Sequence, residues 1–107
     1  EEAAQRESGG WPPFGRRAAV IVSGPKEDQV DAVCRALARQ APREAGVRVL
    51  GPAPAPLARL RGRHRRRFLM KTGRTVAVQR LLRGWLGTLK LPGSVRVQID
   101  IDPYSFL

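Results

Sequence analysis

Residues 16 to 42 read "RRAAVIVSGPKEDQVDAVCRALARQAP", and the spacing of the apolar side chains changes in the middle of that stretch. From Ala18 to Val22 the apolar residues run together and are closed by Gly24-Pro25, the pattern of a short buried strand. Beyond Lys26 the apolar positions are Val30, Val33, Cys34, Leu37, Ala38 and Ala41, at helical spacing, with acids in the first turn and Pro42 as a stop. A strand followed by a helix with one apolar stripe is the opening of a layered α+β domain, because each element must bury its apolar side on the other.

The remainder of the chain answers this opening. "VRVLG" (47–51) reads as a second strand, and "GPAPAPLARLRGR" (51–63) is proline-rich enough to predict an extended, polyproline-like connector. "HRRRFLMKT" (64–72) is a third strand. "RTVAVQRLLRGWLGTLKL" (74–91) returns to helical spacing through Val78, Leu81, Leu82, Trp85, Leu86 and Leu89, weakened by Gly84 and Gly87 and stopped by Pro92-Gly93. "SVRVQIDID" (94–102) then alternates strictly: Val95, Val97, Ile99 and Ile101 inward, Arg96, Gln98, Asp100 and Asp102 outward. The sum is a split β-α-β-β-α-β fold of the α+β class, a four-stranded sheet with two helices on one face and the other face partly open. Residues 1–15, acidic and then Pro-Pro, read as a linker that Trp11 and Phe14 pin to a body spanning 16–107.

Composition limits what such a body can do. At 107 residues the chain has one modest core and little room for a buried catalytic cleft. Twenty Lys and Arg against nine Asp and Glu give a formal net charge of +11 and a pI near 11.6, so a polyanionic partner is expected. One cysteine, Cys34, and one histidine, His64, cannot assemble a Cys/His zinc set or an internal disulfide, which fits a reducing cytoplasm. No apolar stretch approaches the ~20 residues of a membrane span. The acidic start resembles no signal peptide, and the missing initiator Met points to a piece of something longer.

The charge is concentrated in "RLRGRHRRRFLMK" (59–71), with seven basic side chains and the histidine in thirteen positions. Arg59, Arg61 and Arg63 end the proline-rich segment. Arg65, Arg67 and Lys71 alternate along one side of the third strand, opposite His64, Arg66, Phe68 and Met70. A strand charged on both sides is expected to project as a ribbon or edge before entering the core at Phe68. Such a run is ordinarily a solvated edge; with +11 on so small a body, tracking of phosphates takes precedence. Changing Arg63, Arg65 and Arg67 to Ala is then expected to weaken nucleic-acid binding and to flatten its salt dependence.

Other constellations are weaker. Asp100 and Asp102 lack a third ligand and read as partners for arginines. His64, among arginines, reads as a stacking or hydrogen-bonding contact, and Cys34 and Trp85 as core. Ser23-Gly24-Pro25-Lys26 precedes a helix without forming a phosphate-binding loop, and no ATPase or other catalytic motif is present.

"VLGPAPAPLARLRGRHRRRFLMK" (49–71), the terminal "VQIDIDPYSFL" (97–107) and "PPFGRRAAVIVSG" (12–24) resemble the C-terminal domain of the bacterial replication-restart helicase family, PriA or primosomal protein N′. The similarity covers nearly everything after the first ten residues. It implies a ribosomal-protein-like fold that binds branched and single-stranded DNA in DNA replication restart, beside an ATP-dependent 3′ to 5′ helicase core whose ATP, Mg and zinc sites lie upstream; none of these cofactors is expected in this chain. It also implies the C-terminal tail of single-strand-binding protein and other primosome proteins as partners, and a bacterial cytoplasmic, nucleoid-associated location. The tail-binding positions match Arg74, or Thr75 if the alignment shifts by one residue, and Gln79. The nucleic-acid set is Arg59, Arg61, Arg63, His64, Arg65, Arg66, Arg67 and Lys71. Where relatives interleave aromatics with the arginines, this chain has His64 and Arg66, so backbone electrostatics should dominate over base stacking. The rival readings are a stand-alone ribosomal or RNA-binding protein of similar fold and a module for acidic peptides.

Overall fold

The structure is a computed structural model and describes residues 15–102. Its elements follow the expected order: β1 (Arg16–Gly24), α1 (Glu27–Arg39), β2 (Val47–Leu60), β3 (Arg63–Thr72), α2 (Val78–Leu86) and β4 (Arg96–Ile101). The strands form one antiparallel sheet in the order β2-β3-β1-β4, with both helices on one face. The expected linker, with Trp11 and Phe14, lies outside the described residues except for Gly15.

Alternation decides which side chains enter the core. In β1, Ala18, Val20 and Val22 point to the helices; Phe68 and Met70 of β3 and Val47 of β2 lie on the same side. Against them pack Val30, Val33, Cys34 and Leu37 of α1 and Val78, Leu82 and Trp85 of α2. Trp85 ties three elements together. Its ring meets Phe68 edge to face at 5.5 Å, and its Nε1 donates to the Leu37 carbonyl at 2.9 Å, so the buried indole leaves no donor unpaired.

Four expectations need correction. The proline-rich segment is no free connector: β2 continues through it to Leu60, paired with β3 across register shifts between Leu50 and Ala53 and between Pro54 and Arg59. Prolines are compatible with this because β2 is an edge strand, where a missing N–H need not break a ladder, and because the shifts release residues from pairing. The basic strand β3 is neither an edge nor a projecting ribbon. It is interior, bonded to β2 and β1 along its length. Charge on its helix side is tolerated because α1 brings carboxylates to it. The second helix spans only Val78–Leu86, closed at Gly87, whose N–H donates to the Arg83 carbonyl at 2.8 Å. Finally, Ile99 is 47% exposed, because the short α2 leaves a groove beside β4.

Candidate nucleic-acid interface

The face of the sheet away from the helices is built by the other half of the alternation. Cross-strand rows run Arg48-Lys71-Arg17, Leu50-Leu69-Ala19-Asp100, Ala53-Arg67-Ile21-Gln98 and Arg65-Ser23-Arg96. Arginines from all four strands thus lie around a small apolar centre of Leu50, Leu69, Ala19 and Ile21. The carboxylate set into these rows is Asp100. Among the described residues no carboxylate lies within ion-pair distance of Arg48, Arg65, Arg67 or Arg96. Positive charge left unneutralised on a shallow, partly apolar surface attracts phosphates and tolerates the sugars and bases between them.

The eight expected nucleic-acid residues have different surroundings. Arg65, Arg67 and Lys71 are on the open face. Arg65 is also a brace: its Nη1 donates to the Pro56 and Leu57 carbonyls at 2.6 and 3.1 Å, serving acceptors that the irregular part of β2 takes out of the ladder. Arg63 is held at the end of β1, its Nε on the Ser23 hydroxyl at 3.4 Å and its Nη2 on the Ser23 and Ser94 carbonyls at 2.9 and 2.8 Å. Arg59 and Arg61 are exposed at the β2–β3 hairpin, where Arg61 (φ 53°) and Gly62 (φ 77°) form the two-residue turn. His64 and Arg66 fall on the helix side. The Arg66 guanidinium meets Glu27 at 2.8 Å and Asp31 at 3.4 Å and is largely enclosed, so its charge is matched within the fold.

Sequence reading missed Arg17 and Arg48 because the facing of two short strands gives no signal until the register is known. Arg96 was legible as outward-facing, but not as a neighbour of Arg65 across Ser23.

Two titratable groups are perturbed. Asp102 has its carboxyl held below the usual aspartate range, first by the Arg17 backbone N–H (3.1 Å) and then by the Arg16 guanidinium (3.2 Å). This pairing fastens the end of β4 to the start of β1. Burial, then the nearby Asp31 charge, pushes the Cys34 thiol up to about 11, so it remains a neutral core group at physiological pH. The first turn of α1 holds Glu27 and Asp28, which opposes anion binding after Ser23-Gly24-Pro25-Lys26.

On the helix side, α2 and β4 enclose a groove of about 560 Å³, walled by Leu82, Leu86, Ile99 and Ile101, with Gln79 and Arg83 at its margin. Of the expected tail-binding positions, Gln79 lines this groove, Arg74 packs its side chain over Gly15, and Thr75 is in the turn before α2.

Taken together, the topology and the basic face opposite the helices define a small, split β-α-β-β-α-β domain of strongly cationic character. The chain belongs to the primosomal protein N C-terminal domain family, whose description matches residues 7–104. It is similar to the replication restart protein PriA of Rickettsia felis (40% identity over 94% of this chain and 15% of the relative), of Rickettsia conorii (39%, 94% and 15%) and of Treponema pallidum (33%, 100% and 17%). The chain therefore spans less than a fifth of the length of these relatives. A solved structure described as a PII-like signaling protein, from Thermus thermophilus, is similar with a TM-score of 0.38 at 16% identity, covering 82% of this chain and 88% of that one, too distant to bear on function.

Proposed function

We propose that this domain holds single-stranded and branched DNA for a replication-restart helicase, gripping the sugar-phosphate backbone on the open sheet face. One observation carries the reading: Arg48, Arg65, Arg67 and Arg96 converge from three strands on a surface where no described carboxylate pairs with them, around the apolar Leu50, Leu69 and Ile21. Arginine suits the task because its planar fork meets phosphate oxygens two at a time. With no aromatic side chain in these rows, contacts run mainly to the backbone, so binding tolerates sequence and falls with salt, log K losing about 0.7 per neutralised phosphate on a single strand. ATP, magnesium and zinc serve the remainder of the parent helicase, and other primosome proteins meet it there or here.

Fluorescence anisotropy with a three-way fork, a single strand, a duplex and a structured RNA across a salt series tests this. The expected order places fork and single strand above duplex and RNA, with a steep salt slope. Preference for RNA would favour a ribosomal type of role.

A second contact is proposed for the same domain. The apolar groove between α2 and β4, with Gln79 at its margin, fits an aromatic chain end such as the Phe-terminated, acidic tail of single-strand-binding protein. Arg74 or Thr75 would meet the tail nearer β1. A tail peptide is expected to bind, and to lose affinity when its terminal Phe is removed or when Gln79→Ala is introduced.

A further inference from the structure

At the hairpin end of the open face, the sheet forms a recess of about 160 Å³, lined by Arg61, Arg63, Arg65 and Arg96 together with Ser23 and Gln98. Four arginines line so small a space and their like charges repel one another, while among the described residues no carboxylate pairs with any of them. Backbone carbonyls hold two of them in place instead. Arg63 commits its Nε and Nη2 to Ser23 and Ser94, which leaves both protons of Nη1. Arg65 commits Nη1 to Pro56 and Leu57, which leaves Nε and Nη2. Ser23 accepts from Arg63 and keeps its own hydroxyl proton to donate, while the side chains of Arg61 and Arg96 have no hydrogen-bond or ion-pair partner among the described residues.

We infer that this recess is a binding site for one phosphate group. The donors come from β1, β3, β4 and the hairpin turn, hence from several directions. A tetrahedral anion with three or four acceptor oxygens can meet them all, whereas a planar carboxylate offers two oxygens in one plane. The phosphate is either a diester within a bound strand or a terminal or free phosphate; the first case rests on the DNA reading above and makes the recess the point that fixes the strand's register on the face.

The test uses the 107-residue chain and four probes: inorganic phosphate, and twelve-residue oligothymidine that is unphosphorylated, 5′-phosphorylated or 3′-phosphorylated. NMR shifts of the Ser23, Arg63, Arg65, Arg96 and Gln98 amides provide the readout. The variant is Arg61→Asn with Arg96→Gln, which changes the two exposed arginines that brace nothing and gives position 61 a residue that accepts positive φ. Inorganic phosphate is expected to shift these amides saturably, and the double variant to weaken that binding about tenfold or more, as expected for the loss of two charge-assisted contacts. Tighter binding of one phosphorylated oligonucleotide assigns the site to a strand end, and equal binding of all three assigns it to an internal diester. Shifts that do not saturate, or that survive unchanged in the double variant, would overturn the inference. DNA binding that persists while phosphate binding fails removes the recess and leaves the DNA face intact; phosphate binding without DNA binding does the reverse.

Discussion

Arg65, Arg66 and Arg67 are consecutive, identical in chemistry and different in role. Alternation turns Arg66 toward α1, where Glu27 and Asp31 match its charge, while Arg67 lies between Ala53 and Ile21 on the open face. Arg66→Ala is therefore expected to cost about 1 kcal/mol of stability, because the Arg66 side chain is enclosed while Glu27 stays exposed, with the salt slope of DNA binding unchanged. Arg67→Ala should leave the urea midpoint nearly fixed and reduce that slope by about 0.7. Cys34 adds a prediction in pH. Its thiol ionises near 9.0 when unperturbed and at about 11 in the fold, so between those values the unfolded chain holds fewer protons and stability falls as pH rises. Urea titrations of wild type and Cys34→Ala at pH 8 and pH 10.5 should show a stability difference that shrinks at the higher pH by about 2 kcal/mol. A constant difference would mean that the thiol titrates normally.

At the scale of elements, β1 was legible as an unbroken apolar run closed by Gly24-Pro25, and α1 and β4 because each has a single clear period, with Pro42 as the stop after α1. The course of β2 was not. Pro52, Pro54 and Pro56 dominate its middle, and the facts that admit them, an edge position and two register shifts, belong to the sheet and not to the segment. The hairpin turn was hidden for a related reason: Arg61-Gly62 takes the place of the usual Asn-Gly, with Arg61 itself at positive φ. Among the site residues, the outward set Arg65, Arg67 and Lys71 could be read from alternation. The structural employment of Arg63, Arg65 and Arg66 could not, since their partners lie up to 40 residues away. Gly51 is the weak point of β2: its φ is +111°, and an added Cβ would lie 2.7 Å from the Arg67 carbonyl oxygen. Gly51→Ala should cost about 1–3 kcal/mol and speed amide exchange in β2 before the rest of the sheet.

For the whole molecule the governing quantity is the distribution of its +11 charge. Both helices also carry exposed arginines, Arg35 and Arg39 on α1 and Arg80 on α2, so net charge alone would draw DNA to either side. What separates the two sides is arrangement: four strands set arginines across one shallow surface at fixed cross-strand spacing, whereas the helical arginines stand on separate elements. The most direct measurement compares two charge-matched triple variants, Arg48→Gln/Arg67→Gln/Arg96→Gln on the sheet and Arg35→Gln/Arg39→Gln/Arg80→Gln on the helices, by single-strand affinity across a salt series. The account predicts that the sheet variant loses about two units of salt slope and most of its affinity, and that the helix variant loses little of either. Equal losses in both, or a larger loss in the helix variant, would contradict it.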